Sequence, residues 1–247
     1  MVFVHGFACS HTDWSQQVAH FSPRHVTVAV DLPGHGATPA PSGTASIEAC
    51  GAAVAELLGV LALPPALLVG HSMGCRVVLD AAQRVSECVA GIALVDGSRF
   101  APGMAEVFEE RFAAGDYLVL ARDMFEQMFT ARTDKRVAGA VIQRALALPE
   151  PIGQALLLSL VRYDTERLEP VLAGLKKPLM ALQTTFTNDR RERVSLQAGQ
   201  TTPYLDFLRD TVPGARVMII PDVGHFPQLD APAETNRALA DFVAGLA

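Results

Sequence analysis

Cysteine is scarce in this chain, and its spacing excludes two common uses of the residue. Only 4 of the 247 residues are cysteines, and no two of them form a C-x-x-C pair. Structural zinc sites and dense disulfide frameworks both need clustered cysteines. We therefore expect no metal and only reduced, isolated thiols at the four positions, which are Cys9, Cys50, Cys75 and Cys88.

Positive charge is also in short supply. The chain has 20 Lys and Arg residues against 26 Asp and Glu residues, which gives a formal net charge of -6 at pH 7. Its pI is about 5.6, and no segment concentrates basic residues into a patch. Because binding to a phosphate backbone needs such a patch, we expect no nucleic-acid partner.

An uninterrupted apolar run long enough for a membrane span is not found either. The segment Leu57–Cys75 has no formal charge, but Pro64 and Pro65 break it. The chain opens on Met1–Val4 without the basic and long apolar regions of a secretory signal. The sequence therefore predicts no membrane partner and a cytoplasmic location.

Apolar residues are plentiful, at 50% of the chain, and their arrangement predicts an α/β fold. Short apolar runs bounded by Gly, Pro, Asp or His are typical of strands buried on both faces. The predicted strands are Met1–Val4, Val26–Val30, Leu67–Val69, Ile92–Val95, Leu179–Leu182 and Val217–Ile220. The clearest predicted helices between and after them are Ser46–Leu61, Cys75–Val85 and Ala233–Leu246. This alternation indicates a mostly parallel open sheet with helices on both faces.

One long segment interrupts the alternation of strands and helices. Residues 99–177 contain no convincing strand and are rich in Phe, Met and Leu. The helices predicted there include Met104–Ala113, Tyr117–Phe129 and Asp134–Leu148. We interpret the segment as a helical cap inserted into a core made of residues 1–98 and 178–247. The alternative is a set of helices that only covers sheet surface.

A nucleophile motif lies between a predicted strand and a predicted helix. Gly70-His71-Ser72-Met73-Gly74 follows the apolar run ending at Val69. A sharp turn from strand to helix projects a serine hydroxyl clear of the backbone, and only small flanking residues fit it. The amide of Met73, at the start of the helix, would then point to a developing oxyanion. We predict Ser72 to be the nucleophile.

Two loops after other strands supply the remaining predicted groups. His5-Gly6-Phe7 follows the first strand, so the amide of Phe7 is the predicted second oxyanion donor. Gly224-His225-Phe226 follows the last strand, where a histidine can reach the serine as its general base. We expect His5 itself to be structural, with its ring buried beneath the oxyanion loop.

These ordered motifs resemble those of the α/β-hydrolase superfamily over nearly the whole chain. The motifs are His5-Gly6, the segment Asp31–Gly36, the elbow Gly70–Gly74, and Gly224-His225. The resemblance implies a parallel-rich sheet and a cap after the strand that follows the elbow. It also implies the chain order nucleophile, acid, histidine.

The acid departs from the commonest pattern of that superfamily. Thr184 and Thr187 stand where the resemblance implies a Gly and an Asp after the strand that follows the cap. Asp96 ends the run Gly91–Val95 directly after the elbow helix, a place where certain haloalkane dehalogenases carry their catalytic acid. We predict Asp96 to be the triad acid, and Asp189 is the alternative. If Asp96 is not the triad acid, its role is only to cap the end of the strand.

The start of the sheet also departs from the pattern. Related chains usually have a two-stranded hairpin before the His-Gly strand, whereas this sequence opens within that strand at Met1. Either the fold tolerates the loss of the hairpin or the chain is a shortened version of a longer protein. If the loss is real, the predicted strand Val26–Val30 forms a sheet edge with unpaired backbone groups. Association of two copies through this edge, as a homodimer, is therefore a hypothesis.

The predicted activity is hydrolysis of a small, mainly apolar carboxylic ester or lactone through an acyl-enzyme, without a metal or organic cofactor. The predicted partner is a small-molecule substrate. The side chains predicted to line its pocket are Trp14, Phe125, Phe129 and Phe226. Three alternatives stay open: a C–C bond hydrolase that would bind a carboxylate through Arg99 or Arg122, an acyltransferase, and a non-enzymatic small-molecule receptor.

Overall fold

Six parallel strands form the central sheet in the computed structural model, which describes residues 1–40 and 45–246. The strands lie in the order β2-β1-β3-β4-β5-β8. Their bounds are β1 Val2–Val4, β2 Val28–Val30, β3 Ala66–His71, β4 Val89–Val95, β5 Leu179–Gln183 and β8 Arg216–Ile219. A separate antiparallel hairpin joins β6 Thr185–Thr187 to β7 Arg193–Ser195. The predicted α/β class with a mostly parallel sheet is confirmed.

The two faces of the sheet are buried by alternate residues of each strand, as the two-residue period of a strand requires. In β3, Leu68 packs into one apolar cluster while Leu67 and Val69 pack into the other. The same alternation in β4 sends Leu94 and Val95 to opposite clusters. This burial on both faces explains why these strands have no polar alternation in the sequence.

Helices cover both faces. Helices α1 Ser15–Phe21 and α11 Pro232–Ala244 pack on one face, and α2 Ile47–Leu61 and α3 Gly74–Arg84 pack on the other. The side chain of Ser46 caps α2 by accepting a hydrogen bond from the amide of Ala49 at 3.1 Å, which explains where that helix begins. The remaining helices of the core are α9 Pro203–Thr211 and α10 Pro227–Asp230, together with 3-10 turns at His11–Trp14 and Ser86–Cys88.

The segment between β4 and β5 is helical throughout its regular structure in the described residues. Its helices are α4 Met104–Ala113, α5 Tyr117–Glu126, α6 Lys135–Leu146, α7 Glu150–Glu166 and α8 Leu168–Ala173. The sequence pattern extends α5 too far, to Phe129, because the apolar spacing continues beyond the turn that ends the helix. Asp134 caps α6 through the amide of Arg136 at 2.8 Å. The division into core and cap domains stays a prediction.

Ion pairs attach this helical segment to the rest of the chain, and two of them have one fully or largely buried partner. Arg76 of α3 binds Asp164 of α7, with an Nη2–Oδ2 distance of 2.7 Å and almost no exposure of either side chain. Arg144 of α6 contacts both carboxylate oxygens of Asp13 at 2.7 Å. These contacts join α7 to the first turn of α3 and α6 to the 3-10 turn His11–Trp14.

Strand β2 lies at one edge of the sheet, in agreement with its predicted place. Val26, just before it, is 62% exposed. The homodimer suggested by this edge stays a hypothesis. In the part of the chain that the structure describes, no helix combines the length and the apolar character that a membrane crossing requires.

Candidate active site

The loops that follow five strands meet at the carboxyl edge of the sheet, as parallel pairing predicts. Phe7 follows β1, Ser72 follows β3, Asp96 follows β4, Thr184 follows β5 and His225 follows β8. Phe7, Ser72 and His225 line one cavity of about 40 Å³. At about 10–15 Å³ for each water, this volume holds about three water molecules. The site is therefore narrow.

Ser72 occupies a strained turn between β3 and α3. Its φ of +53° is rare for a residue with a side chain and costs about 1–3 kcal/mol. A Cβ at Gly70 would overlap the carbonyl oxygen of Gly74, and one at Gly74 would lie 2.6 Å from the carbonyl oxygens of Val4 and His5. Only glycine fits either position, so the G-x-S-x-G spacing follows from the packing of the turn.

The amides of Phe7 and Met73, both beside Ser72, have no backbone acceptor within residues 1–40 and 45–246. Met73 precedes α3, so its amide has the positive end of the helix dipole behind it. Ala8, next to Phe7, has a φ of +54° and donates its amide to Nε2 of His35 at 3.1 Å. This bond holds the loop in the conformation that leaves the Phe7 amide available.

His5 supports the same loop from below. Its Nε2 accepts a hydrogen bond from the amide of Leu32 at 3.1 Å, and its Nδ1 bonds the carbonyl of Gly6 at 2.7 Å. The ring is fully buried, and burial lowers the pKa of His5 to about 3. A neutral imidazole with both ring nitrogens hydrogen-bonded positions the backbone at Gly6 and Leu32 and is not free to exchange protons with a substrate.

His225 and Asp96 are directly bonded. The Nδ1 atom of His225 lies 2.6 Å from Oδ2 of Asp96, and both side chains are buried. Asp96 also accepts hydrogen bonds from the amides of Thr184 at 2.7 Å and Thr185 at 2.8 Å. Thr184 thus stands where the superfamily pattern implies a glycine before the acid, and its backbone binds the carboxylate that comes from another strand.

Arg193 lies against this pair. Its Nη1 is 3.2 Å from Nδ1 of His225, 3.8 Å from Oδ2 of Asp96, and donates to Oγ1 of Thr185 at 2.8 Å. A carboxylate at 2.6 Å requires a proton on Nδ1, so Nδ1 cannot also accept from the guanidinium. Arg193 therefore acts on His225 as a neighbouring charge, and Nε2 of His225 carries the free lone pair.

The charges around His225 favour a neutral imidazole. Burial, together with the Arg193 cation, lowers the pKa of His225 to about 4 in spite of the bond to Asp96. Burial acts to raise the pKa of Asp96, but the bond from His225 and the charge of Arg193 outweigh it and lower that pKa. The resting pair is an ionised carboxylate and a neutral imidazole, the state that a general base requires.

The loop of His225 is held from three sides. Its amide donates to the carbonyl of Met128 at 2.8 Å, and Nε2 of His71 donates to its carbonyl at 2.7 Å. The hydroxyl of Thr184 bonds the carbonyl of Gly224 at 2.8 Å. Met128 follows α5, so the helical segment helps to position the imidazole.

The alternative acid lies elsewhere. Asp189 is exposed in the turn between β6 and β7, and Thr187 is exposed at the end of β6. Since Asp96 already contacts the imidazole, the structure brings together His225 and Asp96 and leaves Asp189 outside the site.

The predicted pocket residues divide into two pairs. Phe125 and Phe226 line the cavity. Trp14 does not, because it packs on Phe3, with ring centres 5.1 Å apart, in the apolar cluster on the opposite face of the sheet. Phe129 is not in the lining either, since it stacks on Phe226 with ring centres 5.2 Å apart. The predictions for Trp14 and Phe129 are wrong.

Neither arginine proposed for carboxylate binding reaches the cavity. Arg99 pairs with Glu169 at 3.1 Å, and Arg122 lies 3.9 Å from Glu126 on the surface of α5. The cavity is instead lined by Arg76 and Arg193. Arg193 could not be predicted as a site residue from the sequence, because the charged segment 188–193 has the composition of a solvated loop. Among the described residues, no three His, Cys, Asp or Glu side chains are grouped to hold a metal ion.

Comparison with known proteins gives the family of the chain. The pattern of the alpha/beta hydrolase family matches residues 1–238. The chain belongs to this family. It is similar to the pimeloyl-[acyl-carrier protein] methyl ester esterase of Methylococcus capsulatus, with 31% identity over 99% of this chain and 94% of that protein. Its relatives thus include an ester hydrolase.

Two further proteins are similar to this chain over nearly its whole length. The dihydrolipoyllysine-residue acetyltransferase component of the acetoin cleaving system of Pseudomonas putida is 25% identical over 98% of this chain, and the chain spans 63% of its length. A thermophilic esterase from Thermogutta terrifontis has the same fold, with a TM-score of 0.82 and 23% identity over 99% of this chain and 89% of that one. At that identity the likeness concerns the fold alone.

Proposed function

We propose that this protein is a serine hydrolase that cleaves a small carboxylic ester or lactone through an acyl-enzyme. The observation that carries the proposal is the 2.6 Å bond between His225 and Asp96 beside the cavity that Ser72 also lines. A buried Asp–His pair next to a serine in a strained elbow has the parts of a nucleophilic triad. In this proposal Ser72 is the nucleophile, His225 the general base and Asp96 the acid.

The first half-reaction forms the acyl-enzyme. Nε2 of His225 removes the proton of the Ser72 hydroxyl as Oγ attacks the ester carbonyl carbon. Negative charge moves to the carbonyl oxygen, where the amides of Phe7 and Met73 stabilise it. The tetrahedral intermediate then breaks its bond to the alkoxy oxygen, which receives the proton from His225 and leaves as the alcohol.

The second half-reaction is hydrolysis. A water molecule gives its proton to His225 and attacks the acyl carbon, and the same two amides stabilise the oxyanion. Breakdown of this intermediate returns the proton to Oγ of Ser72 and releases the carboxylic acid. Asp96 stays ionised throughout, fixes the tautomer of His225 and stabilises the imidazolium that forms in each half-reaction.

The cavity supports a small substrate with an apolar part. Its walls include Phe125 and Met124 of α5 and Leu157 and Leu160 of α7, which offer apolar contact and few hydrogen bonds. The small volume favours a short acyl group.

Steady-state hydrolysis of p-nitrophenyl acetate tests the proposal. We expect saturable turnover by the wild type and, for Ser72→Ala, a fall in kcat of about 10⁴-fold or more. The exposed Ser86→Ala variant is the matched control, and we expect its kcat to stay within about threefold of the wild type. Absence of turnover by the wild type over a panel of short esters and lactones would remove the proposal.

A further inference from the structure

Two guanidinium groups, those of Arg76 and Arg193, line the cavity beside Ser72, and most of the N–H groups of Arg76 already have acceptors in the protein. Arg76 donates from Nε and Nη2 to Asp164 at 2.9 and 2.7 Å, and from Nη1 to the carbonyl of Ser72 at 3.1 Å. Nη2 also bonds Ser98. The side chain of Arg76 is 2% exposed. Four of its five N–H groups are therefore used within the protein, and it already has a carboxylate of its own.

Arg193 is different because much of its donor capacity is unused. Nη1 donates to Oγ1 of Thr185 at 2.8 Å. Within residues 1–40 and 45–246, neither Nε nor Nη2 makes a hydrogen bond, and neither atom is fully buried. The side chain is 18% exposed and forms part of the cavity wall. The free N–H groups of Arg193 are therefore accessible.

The nearest carboxylate does not need Arg193. Asp96 lies 3.8 Å away, and it already accepts hydrogen bonds from His225, the amide of Thr184, and both the amide and the hydroxyl of Thr185. A guanidinium normally pairs with a carboxylate through two parallel hydrogen bonds. Arg193 makes no such two-point pair with the described residues, because its one contact with Asp96 is a single approach of 3.8 Å.

The position of Arg193 also opposes the chemistry proposed for His225. A cation 3.2 Å from Nδ1 disfavours the imidazolium, and in the proposed reaction the imidazolium must form twice. An anion bound to Arg193 would cancel this repulsion. A ligand with negative charge at Arg193 would thus both bind and favour proton transfer.

We propose that Arg193 binds the carboxylate of the substrate, so that the preferred substrates are short esters that carry a carboxylate a few bonds from the scissile carbonyl. This inference rests on the proposed serine hydrolase function and specifies its substrate class. The ester carbonyl lies at Ser72 and the two amides, while the carboxylate forms a two-point ion pair with the free N–H groups of Arg193. The cavity of about 40 Å³ limits the spacing between the two groups to a short chain.

A pair of substrates of similar shape tests the inference. Monomethyl succinate and methyl 4-methylpentanoate differ by a carboxylate in place of an isopropyl group. We expect the wild type to prefer monomethyl succinate in kcat/KM, measured by pH-stat at pH 7.5. Since hydrogen bonds to a charged group contribute about 10- to 100-fold in binding, Arg193→Met should reduce the ratio of the two kcat/KM values by that factor.

The exposed Arg190→Met variant, in the turn that joins β6 to β7, is the matched control, because it removes one positive charge outside the cavity. Its ratio should equal that of the wild type within about twofold. Arg193→Lys should retain part of the preference because it keeps the charge without the planar pair. A loss of activity that is equal for both esters in Arg193→Met would show a purely structural role and overturn the inference, as would a wild type that prefers the neutral ester.

Binding provides a readout that does not depend on turnover. Isothermal titration of the Ser72→Ala variant with monomethyl succinate should give an affinity at least tenfold higher than that of Ser72→Ala/Arg193→Met. Equal affinities would overturn the inference even if the enzyme hydrolyses other esters. If the wild type hydrolyses no ester but this affinity difference is found, the proposed function fails and the carboxylate site at Arg193 stands.

Discussion

Asp96 and His225 are 129 positions apart in the sequence, yet a hydrogen bond of 2.6 Å joins Oδ2 of one to Nδ1 of the other. The bond fixes the imidazole proton on Nδ1 and leaves Nε2 as the basic atom. Asp96 directly follows β4, and His225 lies in the loop after β8. Because both strands belong to the same parallel sheet, their carboxyl ends lie at one edge and bring the two residues together.

Replacing the carboxylate should remove most of the turnover. Asp96→Asn keeps the shape of the side chain but allows the wrong imidazole tautomer, which in the Ser-His-Asp triad of serine proteases lowers kcat by about 10⁴. We expect a loss of that order in kcat for p-nitrophenyl acetate. The exposed Asp189→Asn variant is the control and should change kcat by less than about tenfold. Comparable losses in both variants would contradict the assignment of Asp96.

The activity should extend to acidic pH. Burial and the Arg193 cation lower the pKa of His225 to about 4. Its imidazole therefore stays neutral at pH values well below the usual histidine pKa of about 6.5. The groups that face it are Asp96, Arg193, His71 and Arg76. The acid limb of kcat/KM for a neutral ester should therefore have its midpoint near pH 4. A midpoint near pH 6.5 would show that the imidazole is not held in this environment.

The same low pKa values should make the protein sensitive to acid. His5 and His225 have pKa values of about 3 and 4 in the native protein, whereas the unfolded chain titrates near 6.5. Between these limits the unfolded state binds more protons, so the free energy of unfolding should fall as the pH falls from about 6.5 toward 4. Urea unfolding at pH 7.5, 6 and 5 measures this, and a stability that is constant or rises over that range would contradict the burial of neutral imidazoles. Activity profiles are accordingly read from initial rates after brief exposure.

The buried ion pair between α3 and α7 should contribute strongly to stability. Asp164→Ala leaves the Arg76 guanidinium buried without its carboxylate, and removal of one partner of such a pair costs about 3–5 kcal/mol of the free energy of unfolding. The exposed Glu169→Ala variant removes the partner of Arg99 and should cost less than about 1 kcal/mol. Urea unfolding of both variants decides the matter, and equal effects would indicate that the buried pair is dispensable.

Glycine substitutions separate the elbow from ordinary helix positions. Gly70→Ala forces a Cβ into the Gly74 carbonyl, which should cost about 1–3 kcal/mol and, by displacing Ser72, lower kcat about 100-fold. Gly59→Ala in α2 meets no atom within 4 Å and should raise the free energy of unfolding by up to about 1 kcal/mol. Thermal melting and kcat measured on both variants test this, and an active, stable Gly70→Ala variant would be contrary to the geometry of the turn.

Much of the sheet could be predicted because its strands are buried on both faces. Continuous apolar runs such as Leu67–Val69 and Ile92–Val95 have few other interpretations when Gly, Asp or His ends them. The hairpin of β6 and β7 could not be found in this way. It has only three residues in each strand and lies outside the main sheet, so its sequence has the polar pattern of a loop.

Site residues could be predicted from the sequence where a short motif requires one local backbone geometry. The elbow around Ser72 and the Gly-His pair at His225 have short-range spacing that the turns require. The positions of the Arg193 and Trp14 side chains, in contrast, depend on packing between segments that are far apart in the sequence. The side of the sheet on which Trp14 packs is set by its contact with Phe3, and the approach of Arg193 to His225 is set by the β6–β7 hairpin. No local pattern contains either fact.

The central claim is that Ser72 is the nucleophile, and covalent labelling tests it most directly. A fluorophosphonate transfers its phosphonyl group to an activated serine Oγ with loss of fluoride, and intact-mass analysis with peptide mapping locates the adduct. We predict one adduct per chain, on Ser72, at pH 7.5. No adduct should form in Ser72→Ala, and labelling of His225→Ala should be slowed by orders of magnitude because the base is missing. An adduct on any other residue, or equal labelling of wild type and Ser72→Ala, would contradict the account.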